Sequence, residues 1–269
     1  MLYLEVYKSI IMKTKALGFI GGGRITRIFL QAFVNKKAIF DSISVFDNNP
    51  EVLHSLQQKF PFIEILEYAS EAARKDIVFL ALHPPVIMET LEKITGAVGE
   101  QTIFISLAPK ISIEKMASVL KPVQQIVRLI PNATSVINHG YNPVSFASGM
   151  SEIQKWYILE MLNLLGHTFE TSEEKMEAYA ILSAMLPTYF WFQWNELETI
   201  GTQMGLSESE CKETIYETMN AALNTMYHSG MKPAEVMDLI PVKPIGESEA
   251  QIKGIYQEKL MGLFEKIKP

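Results

Sequence analysis

An apolar run that ends in three consecutive glycines constrains this chain more than any other stretch: Ala16-Leu17-Gly18-Phe19-Ile20-Gly21-Gly22-Gly23. Immediately after it the pattern turns helical, with Ile25, Ile28, Phe29, Ala32 and Phe33 on one face. A buried strand, a tight glycine turn and a helix start in that order form the opening unit of a dinucleotide-binding sheet. Glycine permits the sharp turn and a close backbone approach, and the free N–H groups of the helix start receive a pyrophosphate. The third fingerprint position holds Thr26 rather than Gly or Ala, so the motif is incomplete and its context has to support it.

The context does so. The strand Ile43–Phe46 ends at Asp47, 24 residues past Gly23, close to where an acidic side chain reaches the adenosine ribose. Asp47 also suits a simple cap of the turn before the Pro50 helix, and both roles stay open. A carboxylate there disfavours the extra phosphate of NADP, whereas Arg24 beside the glycines could pair with a pyrophosphate or with that phosphate. NAD and NADP therefore both remain candidates.

Further along, Asp76–Leu82 is the unbroken apolar run of a strand covered on both faces. It ends in His83-Pro84-Pro85, a loop at a strand's carboxyl end, where open α/β sheets bind ligands. Strands are expected at 62–66, 102–107 (followed by Ala108-Pro109-Lys110), 125–130, 144–147 and 167–170. Helices are expected at 50–59, 70–74, 86–95, 112–120 and 152–165. Alternation of this kind predicts an α/β fold with a Rossmann-type doubly wound sheet over residues 1–170.

After residue 170 no strand pattern appears, and residues 171–269 are expected to be all helical. Thr171 with Glu174, and Ser207 with Glu210, offer capping boxes. Gly205 stops one helix and Pro233 opens another. Tyr189–Ile200 is apolar on nearly every face (Phe190, Trp191, Phe192, Trp194, Leu197), which predicts a buried helix and a homodimer formed through it, or a larger oligomer.

Composition narrows the function classes. The chain has 269 residues, 48% hydrophobic, with 24 Lys+Arg against 30 Asp+Glu for a net charge of -6. No dense basic block marks a nucleic-acid surface, and the single cysteine, Cys211, rules out an intramolecular disulfide or a cysteine-rich metal site. No segment reads as membrane-spanning or as a signal peptide. Residues 1–11 read as an extension ahead of Met12, and a cytoplasmic location is expected.

Several ordered segments resemble the pyrroline-5-carboxylate reductase family. They are Gly18–Gly23, Asp76–Pro84 (with His83 where the family has lysine), Val127-Arg128-Leu129-Ile130-Pro131-Asn132, Phe169–Ala178, Met204-Gly205-Leu206, and Ser229-Gly230 with Pro233-Ala234-Glu235. The resemblance implies a Rossmann domain plus an interlocked helical dimerisation domain, with the active site between them. It implies cofactor contacts at Gly21, Gly22, Gly23, Arg24, Ile25, Asp47, Asn48, Ala81, His83, Pro84 and Ala108. The substrate segment departs from the family: its Ser-Gly-Ser-Gly-Pro-Ala-Tyr is Ser183-Ala184-Met185-Leu186-Pro187-Thr188-Tyr189 here. Its Thr-rich loop becomes Pro241–Ser248, Arg24 replaces asparagine and Asn195 replaces an acidic residue. Substrate contacts fall to Asn132, Met185, Pro187, Thr188 and Lys243. His83, Thr188 and Glu247, with Lys243 and Ser248, are the candidate proton donors; His83 also suits a simple cofactor contact, and the aromatic row at 189–194 suits core packing. The implied activity is hydride transfer from NAD(P)H to an imine or carbonyl. The alternatives are a non-catalytic dinucleotide-binding dimer and a true proline-forming reductase, and a 3-hydroxyacid or prephenate dehydrogenase activity ranks below both. No metal is expected.

Overall fold

The structure, a computed structural model, describes residues 15–121 and 123–269. The extension read at residues 1–11 lies outside the described residues. Two compact units divide the chain, one reaching to Ala184 and including Phe264–Pro269, the other Met185–Leu263.

In the first unit, β1 (Ala16–Ile20) leads through the glycine turn into α1 (Arg24–Asn35). There follow β2 (Ser42–Phe46), α2 (Pro50–Lys59), β3 (Glu64–Ile65), α3 (Ala69–Ala72), β4 (Ile77–Leu80), α4 (Pro84–Ile94), β5 (Ile103–Ser106) and α5 (Ile113–Val119). The unit continues with β6 (Ile126–Leu129), β7 (Gly140–Phe146), α6 (Glu152–Leu162), β8 (Gly166–Glu170) and α7 (Met176–Tyr179), which widens into a π turn at Ala180–Ala184.

The eight strands lie in the order β3-β2-β1-β4-β5-β6-β7-β8. All pair in parallel except β6 with β7. The sheet is doubly wound because the strands are apolar on both faces. Phe19 and Phe79 feed one core with Phe29 and Phe33, while Ile20, Val78 and Leu80 feed another with Ile87 and Phe104. Phe19 stacks on Phe79 at 4.6 Å between ring centres, and Phe29 meets Phe79 edge-on at 5.6 Å.

Four expectations change here. The strand read at 62–66 shrinks to two exposed residues, because as the sheet's edge it has only β2 to pair with. The strand read at 144–147 runs from Gly140; its first residues, Gly-Tyr-Asn-Pro, carry no apolar alternation to mark them, yet Asn142 is fully buried. The capping box of Thr171 and Glu174 does not form. Thr171 N–H donates to the Val144 carbonyl, continuing the sheet, and Ser172 occupies the position ahead of the helical turn at Glu173–Lys175. The first unit also extends past residue 170, since Met176 and Ala180 pack on Ile130 and share that small core with Ile267.

The second unit contains α8 (Pro187–Gln203), α9 (Glu208–His228), α10 (Pro233–Asp238) and most of α11 (Glu249–Ile267). Ser207 and Glu210 make the expected capping box: Glu210 N–H donates to Ser207 Oγ at 3.3 Å, and Ser207 N–H donates to Glu210 Oε2 at 2.8 Å. Gly205 adopts φ +99 at the end of α8. The expected burial of α8 does not occur within the single chain. Phe190, Trp191 and Phe192 are 37%, 47% and 67% exposed, and α8 has no buried residue.

Candidate functional site

The glycine turn sits where the sheet order reverses, between β1, which feeds β2 on one side, and β4 on the other. Gly21 has φ +108, and a Cβ there would lie 2.3 Å from the Ala81 carbonyl oxygen. Only glycine fits, because the backbones of the two strand ends nearly touch. Gly21 N–H donates to the Phe46 carbonyl at 2.7 Å, which ties the turn to β2 as well.

Gly23 differs. A Cβ on it would meet nothing within 4 Å, so its glycine leaves open space over the start of α1. No side chain caps this helix and no acidic residue stands in its first turn. An uncapped helix start with open space before it is a cradle for an anion. Arg24 is exposed beside it, without a hydrogen bond or ion pair among the described residues. Ile25 is half-buried against the core.

Thr26, the irregular fingerprint position, is fully buried, and its Oγ1 donates to the Gly21 carbonyl at 2.6 Å. The hydroxyl thus secures the turn where the usual glycine would only allow close packing.

Asp47 closes the turn from β2. Its Oδ2 accepts from Gly22 N–H at 2.8 Å and its Oδ1 from Asn49 N–H at 2.8 Å. The helix cap itself is Asn49, whose side chain accepts from Glu51 N–H at 2.9 Å. Beside these residues lies a cleft of about 640 Å³, lined by Gly21, Phe46, Asp47, Asn48, Tyr68 and Leu82 among others. A cleft of similar size runs along α5, by Ala117, Gln124 and Phe146, and touches none of the site residues read from the sequence.

The structure brings Gly21, Gly22, Gly23, Arg24, Ile25, Asp47, Asn48 and Ala81 together at the carboxyl ends of β1, β2 and β4. His83 is exposed at the head of α4, with Pro84 as that helix's first residue, and its imidazole caps nothing. Ala108 is buried just beyond β5.

Asn132 has its side chain occupied within the protein. Its Nδ2 donates to the Ser183 carbonyl and Oγ at 3.0 and 3.1 Å, and its Oδ1 accepts from Thr134 N–H and Oγ1. Met185, Pro187, Thr188, Lys243 and Glu247 belong to the second unit. There Thr188 Oγ1 donates to the Met185 carbonyl at 2.6 Å, while Lys243 and Glu247 are exposed.

Sequence reasoning assigned no role to Arg128, Glu173 and Glu177. Arg128 is fully buried, its two terminal nitrogens on Glu173 Oε1 at 3.0 Å and Glu177 Oε1 at 2.5 Å. The available signal was the arginine within the apolar strand Ile126-Val127-Arg128-Leu129, because a buried charge requires partners. Among the described residues no group of three or more His, Cys, Asp or Glu is placed to hold a metal ion. Nor is any helix there long and apolar enough to cross a membrane.

Known proteins share this architecture. Residues 16–110 match the family described as NADP oxidoreductase, coenzyme F420-dependent. The pyrroline-5-carboxylate reductase of Corynebacterium melassecola is 24% identical over 92% of this chain and 93% of its own length. That of Staphylococcus saprophyticus is 23% identical over 93% and 92%. Among solved structures, the pyrroline carboxylate reductase of Plasmodium falciparum with NADP bound has a TM-score of 0.74 at 19% identity. It covers 95% of this chain and 96% of its own. The Coxiella burnetii pyrroline-5-carboxylate reductase gives 0.68 at 23%, covering 95% of each chain.

The fold and its glycine turn therefore define an oxidoreductase class: a Rossmann sheet with a helical region after it. Within that class the chain is similar, over more than nine-tenths of its length, to pyrroline-5-carboxylate reductases.

Proposed function

We propose that this protein is an NAD(P)-dependent oxidoreductase that reduces the C=N bond of a small cyclic imine, with pyrroline-5-carboxylate as the first substrate to test. The observation that carries the reading is the cradle at Gly23: open space before an uncapped helix start, at the sheet's switch point. Similarity to pyrroline-5-carboxylate reductases along nearly the whole chain supplies the reaction class.

The residues present fit a dinucleotide. The N–H groups at the start of α1 would receive the pyrophosphate, with Arg24 adding charge. Asp47 and Asn48 would meet the adenosine ribose, and the cleft by Tyr68 would take the base. Ala81, His83 and Pro84, then Ala108, lie along the strand ends toward the other half of the cofactor. When bound, the reduced nicotinamide supplies a hydride to the imine carbon, while the nitrogen takes a proton. Positioning is the main contribution of the chain. His83, Thr188 and Glu247 are the proposed proton donors or relays, and Asn132, Met185, Pro187, Thr188 and Lys243 the proposed substrate neighbours. Of the three donors, Thr188 has its proton on the Met185 carbonyl in this structure, leaving His83 and Glu247 exposed and available.

The working form is a homodimer, or a larger assembly, built through residues 185–263. That unit leaves Trp191, Phe192, Tyr216 and Leu223 largely exposed, and Cys211 is its one buried hydrophobic residue among those described. So much uncovered apolar surface calls for a partner. The proposed location is the cytoplasm.

A second reading has a specific observation behind it. Met185 and Leu186 stand where the resemblance leads one to expect Ser-Gly, which favours a changed substrate or a binding-only protein. Stopped-flow or steady-state oxidation of NADH and NADPH with pyrroline-5-carboxylate, with proline measured as product, separates the readings. Proline formation establishes the reductase. Dinucleotide binding without turnover on pyrroline-5-carboxylate or on any other cyclic imine, ketoacid or amino acid, even at high protein concentration, favours the binding-only form.

A further inference from the structure

The loop between β5 and α5, Leu107–Ser112, is held in an unusual way. Lys110 has φ +77, a left-handed conformation that side-chain-bearing residues avoid. Its N–H donates to Glu177 Oε1 at 3.2 Å, and three residues on, Ile113 N–H donates to Glu173 Oε1 at 2.8 Å. These same two oxygens receive the two terminal nitrogens of Arg128. One buried guanidinium therefore fixes two carboxylates, and each carboxylate fixes one backbone amide of a single loop. Arg128 is fully buried and Glu177 nearly so, and Ala108 and Ile111 of the loop itself are buried. A strained residue persists only where its surroundings over-determine it.

The position of this loop gives the arrangement its meaning. Asp47 stands at the end of β2 and the glycine turn at the end of β1, so a dinucleotide laid across them extends next over β4 and then β5. The β5 loop lies at its far, nicotinamide end.

We propose that Arg128, Glu173 and Glu177 act as positioning residues, setting the backbone of Ala108–Lys110 against the nicotinamide half of the cofactor. This rests on the dinucleotide reading above. Arg128 touches neither cofactor nor substrate; it acts through the two glutamates. The fork geometry of a guanidinium suits this role, since one rigid plane orients two acceptors at once.

The test uses the full-length protein with Glu177→Gln, Glu177→Ala and Glu173→Gln. The Gln variants keep shape and an acceptor oxygen while losing the charge that Arg128 holds. Three readouts are taken well below each melting temperature: amide hydrogen exchange of the 108–113 segment, the NADH and NADPH Kd by fluorescence, and KM against kcat with pyrroline-5-carboxylate. Glu177→Ala is expected to speed exchange in that segment while β1 and β4 stay protected, and to raise the dinucleotide Kd about tenfold. Glu177→Gln and Glu173→Gln are expected to fall between it and wild type. Variants that lose only melting temperature, with unchanged local exchange and unchanged Kd, overturn the positioning role while wild-type binding leaves the dinucleotide reading intact. A wild-type chain that binds neither NADH nor NADPH overturns that reading and this role with it.

Discussion

Replacing two glycines of one turn by alanine separates what the fold needs from what the ligand needs. At Gly21 the added Cβ would stand 2.3 Å from the Ala81 carbonyl oxygen and 2.9 Å from its carbon, at φ +108. Neither backbone can withdraw cheaply: Ala81 N–H donates to Ile20 at 2.9 Å, and Gly21 N–H to Phe46 at 2.7 Å. Left-handed strain costs about 1–2 kcal/mol, and parting one buried backbone bond adds about 1–2 kcal/mol. Gly21→Ala should therefore lose about 2–4 kcal/mol, which for a chain of this size lowers Tm by roughly 5–15 °C. At Gly23 the backbone has φ -71 and the space is open. Gly23→Ala should change stability by under about 1 kcal/mol, while its methyl occupies the proposed phosphate cradle. The NADH and NADPH Kd should then rise at least about tenfold, or 1.4 kcal/mol. Calorimetric melting and fluorescence titration of both variants provide the check. A Gly23→Ala protein that binds either dinucleotide as wild type does would refute the cradle, and a Gly21→Ala protein with unchanged Tm would refute the packing argument.

Arg24→Ala should weaken NADPH binding more than NADH binding, by up to about fivefold given the small worth of exposed charge pairs; equal losses for both would assign Arg24 to the pyrophosphate alone. Glu64 is held below the ordinary carboxylate value of 4.5 by the Ser44 hydroxyl first; burial opposes this, and Lys75 adds to the lowering. Its contribution is therefore present above about pH 4.5 and is lost as the pH falls through the lowered value. Acid unfolding followed by circular dichroism should show a shallower loss below pH 4.5 in Glu64→Gln than in wild type. Phe192→Glu, on a side chain 67% exposed in the single chain, should leave the fold intact and shift the sedimentation coefficient toward a monomer. Sedimentation identical to wild type would place the oligomer contact elsewhere.

The sheet was legible because a strand covered on both faces reads as an uninterrupted apolar run. Ile77–Leu80 is fully buried, and four residues suffice to announce it. The glycine turn was legible for a related reason, since three adjacent glycines have few uses besides close backbone approach. Strand β7 was half hidden because its buried positions include Asn142, which satisfies the Asn132 N–H through its side-chain oxygen; polar burial leaves no periodic hydrophobic trace. Helix α8 presents the opposite case. Its apolar residues announce burial, but the sequence does not say whether the covering surface belongs to the same chain. The Arg128 cluster lay in plain view as a charge inside a strand, while its partners, 45 and 49 residues away, became neighbours only through the fold.

The proposed substrate segment offers the sharpest contrast with the proposed cofactor turn, and it leads to a gain-of-function prediction. Ser183 is spent internally: its hydroxyl donates to the Tyr141 carbonyl at 2.6 Å and accepts from Asn132. Thr188 is likewise spent on the Met185 carbonyl. Between them stand Met185 and Leu186, the latter 38% exposed, where the resemblance leads one to expect a serine and a glycine. On the proposed reading, an anionic substrate at this segment would meet thioether and hydrocarbon instead of hydroxyl and backbone donors. A hydrogen bond to a charged group contributes about 1.5–3 kcal/mol, so the double change Met185→Ser with Leu186→Gly should raise kcat/KM for pyrroline-5-carboxylate by about 10- to 100-fold. The gain should appear mainly as a lower KM if the restored donors hold the carboxylate equally in ground and transition states. An unchanged or lower kcat/KM in a variant that still binds NADPH would show that these two side chains are not what separates this chain from proline-forming relatives.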